Sequence, residues 1–132
     1  MGYINIVFYN KPQKGLEYLL KYIKTEYDDS EAMSLIAKSY ENTKQFNKAV
    51  DYYYKSFKLD SNYVFVIEKI ANFNFNKGNL DSAIYLNKRL MELLPNSPKP
   101  YNNIAKYYYV LKDTVKMNYY IKLRNEKQAN NN

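Results

Sequence analysis

The sequence contains no cysteine and no histidine. The first absence excludes disulfides, thiolate metal sites and cysteine nucleophiles. The second removes the commonest general base at neutral pH and the commonest metal ligand. Tryptophan is also missing, and three glycines and four prolines in 132 residues are too few for a turn-rich all-β fold, a collagen-like chain or a linker. Gly2, Gly15 and Gly78 lie too far apart to form a phosphate-cradling loop. No run approaches the roughly 18 to 20 consecutive apolar residues of a membrane span. Residues 1–9 are apolar but have neither a basic stretch before them nor a small-residue cleavage site after them, so they do not read as a signal peptide. Ile6 stands where a myristoylation signal carries Ser or Thr. The chain is expected to be soluble, with its compartment either cytoplasmic or unassigned.

The carboxylates form no catalytic pair. Asp28, Asp29 and Glu31 cluster where a helix start would favour negative charge, and Asp51, Glu68 and Asp81 are isolated. The expectation is therefore a protein that is not an enzyme, with no metal and no cofactor. What the chain has in plenty is tyrosine, 17 residues, and lysine, which makes up nearly all of its 20 basic residues against 13 acidic ones. The net charge of +7 and a pI near 9.3 suit an acidic partner or surface. Only Arg89 and Arg124 carry the guanidinium fork that dedicated phosphate or base recognition prefers, so nucleic acid is a disfavoured partner.

Self-similarity organises the rest. At a step of 34 residues, Met33, Ile67 and Tyr101 share a column, followed by Ile36, Ile70 and Ile104, then Ala37, Ala71 and Ala105, then Tyr40, Asn74 and Tyr108. Further along come Ala49, Ala83 and Met117, then Tyr53, Asn87 and Ile121, then Ser61, Pro95 and Ala129. The first four columns are spaced i, i+3, i+4, i+7, one stripe of a helix, and Ala49, Tyr53 and Ser56 trace a second stripe at i, i+4, i+7. Each unit is thus a helical hairpin, with alanines where the two helices cross closely. Asn76-Lys77-Gly78-Asn79 supplies a turn with Gly available for a left-handed C-cap, while Lys112-Asp113-Thr114 replaces it in the third unit. The expected helices cover 13–27, 30–43, 47–60, 63–77, 80–94, 98–111 and 114–127, about seven in an all-α chain. The tyrosine runs 52–54 and 107–109 cannot form base-stacking platforms, because consecutive helical residues point about 100° apart.

This spacing resembles the tetratricopeptide repeat (TPR), whose pattern of a large residue, Leu-Gly, Tyr, Ala, Phe and Pro over 34 residues matches these columns. The resemblance covers a partial repeat at 1–29, repeats at 30–63, 64–97 and 98–129, and a tail at 130–132, all in one domain. The partial repeat rests on Lys14 to Tyr22 aligning with Lys48 to Ser56, Gly15 taking the small-residue place. Asn74, Asn87 and Met117 depart from the pattern, which predicts looser packing around the third unit. The resemblance implies a right-handed superhelical array of antiparallel helix hairpins, an α-solenoid, in which the first helix of each unit lines a concave face. Five places per unit line that face in the family. Among them Ser34, Lys38, Asn42, Phe65, Asn72, Phe75, Asn76, Lys99, Asn102, Lys106 and Tyr109 are the expected peptide-binding residues. Asn bonds both groups of a peptide backbone, aromatic faces cover its side chains, and Lys meets a carboxylate. A two-carboxylate clamp known in the family is not matched: Ser34, Lys38, Lys69, Lys99 and Asn103 occupy its places, and only Lys99 fits. The leading function is a non-catalytic scaffold for a protein or peptide partner. Two alternatives stand beside it: a homo-oligomeric module pairing through the apolar N-terminal segment, and, less favoured, single-stranded nucleic-acid binding.

Overall fold

Three tandem helical hairpins account for nearly all of what the computed structural model describes, residues 20–21 and 29–131. In chain order the helices are α1 (Ser30–Asn42), α2 (Phe46–Leu59), α3 (Val64–Asn76), α4 (Leu80–Leu93), α5 (Lys99–Val110) and α6 (Thr114–Asn130). Among the described residues there is no strand, and no helix is long and apolar enough to cross a membrane. The expected helix at 13–27 and the apolar segment 1–9 lie outside the described residues, apart from the helical pair Leu20 and Lys21. Helix starts and ends fall within a residue or so of the expected ones, except that α6 runs three residues further, to Asn130. Just beyond it, the Asn131 side-chain amide donates to the Asn96 carbonyl at 2.6 Å, anchoring the end of α6 beside the start of α5.

Two helix starts are capped by carboxylates. Asp29 caps α1, its side chain accepting from the backbone N–H groups of Glu31 and Ala32 at 2.8 and 3.2 Å. Asp113 caps α6 through the Lys116 N–H at 3.1 Å.

The turns repeat as strictly as the helices. Lys44, Gly78 and Lys112 sit 34 residues apart, and all three are left-handed, with φ of 63°, 83° and 61°. Each closes the same pair of backbone bonds. The N–H of the left-handed residue reaches back three positions, to Glu41, Phe75 and Tyr109, at 3.0 Å in every case. The next N–H reaches back five, to Tyr40, Asn74 and Tyr108, at 2.8, 2.8 and 3.0 Å. This is the Schellman motif, which satisfies carbonyls a helix end leaves open. Only Gly78 adopts it without a Cβ penalty. Lys44→Gly and Lys112→Gly should therefore each raise stability by about 0.5–1 kcal/mol in urea titrations. Gly78→Ala should lower it by about 1 kcal/mol, although an added Cβ at Gly78 meets nothing within 4 Å, so backbone conformation alone supplies the loss.

The chain divides within α3, between Val66 and Ile67, into two compact units. In the first, Ala32 and Ile36 of α1 are fully buried, with Leu20, Leu35, Tyr40 and Tyr52 packed against them. Ala37 and Ala49 are also fully buried, which lets the backbones of α1 and α2 approach closely. Ser30 and Ser56 tie the start of α1 to the end of α2: the Ser30 hydroxyl lies 3.1 Å from the Ser56 carbonyl, and the Ser56 hydroxyl 2.8 Å from the Ser30 carbonyl. In the second unit, Ala83, Ile84, Ile104 and Tyr107 form the core, lined by Phe75, Leu80, Met91, Tyr108 and Tyr120. Helix α6 buries no residue completely and half-buries the stripe Met117, Tyr120, Ile121, Arg124 and Lys127 against its neighbours.

Candidate functional site

The residues expected to line a binding face sit on the first helix of each hairpin, and their surroundings separate them into groups. In the first unit, Lys38 and Asn42 are exposed on α1. Neither makes a side-chain hydrogen bond or ion pair among the described residues. Phe65, at the start of α3, is 36% exposed and has its ring edge toward Tyr53, centroids 6.1 Å apart, with Tyr63 at 6.3 Å on another side. Ser34 is a correction. It is 2% exposed, and its hydroxyl donates to the Glu31 carbonyl at 2.8 Å and lies 3.4 Å from the Tyr63 hydroxyl. A serine hydroxyl is short enough to turn back onto its own helix, so the place holds a satisfied core group and offers a ligand no surface.

In the second unit, Asn72 and Asn76 are exposed on α3 and form no side-chain hydrogen bond among the described residues. Between them on the helix lies Phe75, half-buried, with the Lys106 ammonium 4.6 Å from its ring centroid and the Tyr107 ring at 4.9 Å. Lys106 is thereby held over an aromatic face rather than paired with an acid. Tyr109 is 70% exposed. Lys99 pairs with Glu68, and Asn102 accepts a hydrogen bond from Arg124 at 2.9 Å.

Asparagine serves two purposes in this unit. Beside the exposed pair, Asn87 is wholly buried and fully bonded. Its amide donates to the Ala83 carbonyl and to the Tyr107 hydroxyl, and its oxygen accepts from the Asn103 amide, each at 3.0 Å. Asn74, also buried, donates to the Ile70 carbonyl at 2.9 Å. No buried side-chain polar atom among the described residues lacks a partner. Burial pushes the Tyr107 hydroxyl above its ordinary range, an effect the Asn87 hydrogen bond partly offsets by favouring the phenolate. Asn103, at the last clamp place, is committed to Asn87.

No family model matches the sequence, and no curated protein matches it. Solved structures do. The chain is similar to MamA, with a TM-score of 0.80 at 19% identity over 98% of this chain and 74% of that one. It is similar to a second MamA structure, MSR-1, with a TM-score of 0.76 at 22% identity over the same shares. It is similar also to YrrB, described as a TPR protein with an unusual peptide-binding site, with a TM-score of 0.77 at 15% identity over 97% of this chain and 66% of that one. The fold is tetratricopeptide-like. At these identities the likeness concerns the fold alone.

Within this tetratricopeptide-like frame, the tyrosine runs point apart as helical geometry requires. Tyr53 is buried, Tyr52 half-buried and Tyr54 exposed, and Tyr107, Tyr108 and Tyr109 divide in the same way. No group of three His, Cys, Asp or Glu residues among the described ones is placed to hold a metal. One feature escaped sequence reasoning. Pro98, Lys99 and Asn102 of the α5 start and Arg124 and Gln128 of α6 line an open pocket of about 300 Å³. Arg124 is one of the two cations that line it. Its being one of only two arginines in the chain was the available signal.

Proposed function

We propose that this chain is a non-catalytic scaffold that binds an extended peptide, or an extended segment of a partner protein, on the exposed residues of α3 and α5 in the second unit. The observation that carries this reading is the state of the second unit's asparagines: Asn72 and Asn76 are exposed and unbonded among the described residues, while the buried Asn74 and Asn87 are engaged. A solvated amide offers a donor and an acceptor together, the complement of a backbone peptide group. Phe75 supplies apolar area between them on α3, Tyr109 presents an exposed ring on α5, and the cation Lys106 meets acidic side chains. Likeness to a fold that in YrrB carries a peptide-binding site supports the same reading.

The test begins with a dodecapeptide selected from a random library against the full chain. Titration calorimetry should show Asn72→Ala and Asn76→Ala each weakening that peptide about 3- to 10-fold, the size of one hydrogen bond, with unchanged melting. Tyr85→Ala, at a 65% exposed position on α4, should leave affinity unchanged. Loss of binding on Tyr85→Ala with none on the asparagine variants would place the ligand on the second helices and refute the reading.

A further inference from the structure

The pocket between the start of α5 and the end of α6 has a composition that selects one kind of ligand. Its two cations are in different states. Lys99 is neutralised by Glu68. Arg124 faces no carboxylate among the described residues: its Nη1 donates to the Asn102 side-chain oxygen at 2.9 Å, and its Nε and Nη2 both donate to the Asn125 side-chain oxygen, at 3.2 and 3.0 Å. Two neutral amides therefore fix the guanidinium without cancelling its charge. A guanidinium has five N–H groups. Three are engaged here, leaving one on each terminal nitrogen for an anion. The pocket opens at the amino-terminal turn of α5, where the helix dipole also favours an anion. The wider surroundings agree. Residues 67–132 carry eleven Lys and Arg against five Asp and Glu, whereas residues 1–66 carry nine against eight, so almost all of the chain's net positive charge lies in the second unit.

We infer that this pocket binds a carboxylate of an acidic peptide, with Arg124 as the cation, Asn102 as its positioning residue, and Gln128 and Lys99 at the rim. One uncompensated cation suits a monoanion better than a phosphate dianion, which draws on several positive groups. The inference deepens the peptide-binding reading and rests on it, since it names the acidic character of the partner and one contact point.

Three amino-terminally acetylated pentapeptides test it on the full chain: one with a single central glutamate and amidated end, its amidated glutamine counterpart, and that counterpart with a free terminal carboxylate. The readout is the Arg124 Nε–H and Asn102 side-chain amide signals in ¹⁵N spectra at low salt. The expected result is a saturating shift from at least one acid-bearing peptide, at least about tenfold weaker affinity for the neutral one, and loss of the response in Arg124→Gln with an unchanged melt. Whichever acidic peptide responds shows whether a side-chain or a terminal carboxylate is taken. Equal response to the neutral peptide, no response to any, or undiminished binding by Arg124→Gln overturns the inference. Binding of the library-selected peptide that moves Asn72 and Asn76 but not Arg124 overturns the pocket alone and leaves the scaffold reading standing.

Discussion

Replacing Asn87 by Ala should cost about 2–4 kcal/mol of unfolding free energy, the largest loss expected from any single polar residue in the chain. Two terms add. The truncated side chain leaves a cavity at a position with no exposure. It also strands the Tyr107 hydroxyl, 2% exposed and bonded to the Asn87 amide at 3.0 Å, in an apolar core. Asn103 is half-exposed and recovers its lost bond from water, so it contributes little. Tyr107→Phe alone should cost only about 1 kcal/mol, because Asn87 keeps its bonds to Ala83 and Asn103. The double variant Asn87→Ala, Tyr107→Phe removes both partners and should be milder than the sum of its singles by about 1–2 kcal/mol. Chemical denaturation of the four proteins measures this coupling; strict additivity would mean that the hydrogen bond is not the reason for the buried asparagine.

The second large effect is alkaline. Tyr53 has no exposure, and its hydroxyl donates to the Glu41 carboxylate at 2.8 Å. Burial first, then that hydrogen bond, then the Glu41 charge hold the phenol neutral to well above its ordinary value. The folded state thus keeps a proton that the unfolded chain releases near pH 10. Stability is complete below that pH and falls as pH rises through and beyond it, by about 1.4 kcal/mol per pH unit for this one proton. Tyr52, Tyr107 and Tyr120, also pushed up mainly by burial, act in the same direction. Between pH 10 and 12 Tyr53 alone should remove about 2–3 kcal/mol. Denaturation midpoints across that range should fall less steeply in Tyr53→Phe, by about one proton's slope, whatever its stability at neutral pH. Parallel slopes would rule Tyr53 out as the source.

The hairpins were legible because their cause is local and periodic. The buried columns at Ile36, Ile70 and Ile104 and at Ala37, Ala71 and Ala105 repeat what one helix needs from another, and a fixed step exposes them. Gly78 announced its turn by residue type. Lys44 and Lys112 did not, since their left-handed backbone follows from the register of the repeat and not from any propensity of lysine. Asn87 was visible only as a departure from a pattern. Its partners lie 16 and 20 residues away on α5, and no periodicity connects an amide to a hydroxyl across helices. Ser34 shows the reverse error, in which a lining place inherited from a family held a side chain too short to reach the surface. The Arg124 pocket was illegible for the same reason as the Asn87 network, being assembled from the start of one helix and the end of the next.

The central claim is that α3 and α5, through the exposed asparagines of α3, meet an extended peptide. Mapping ¹⁵N amide shifts on the full chain during titration with the library-selected peptide tests it most directly. Shifts should concentrate at Asn72, Asn76 and Lys106, with α2 and α4 quiet. Shifts gathered around Tyr54 and Tyr85 on those second helices, with the asparagine side chains unmoved, would contradict it.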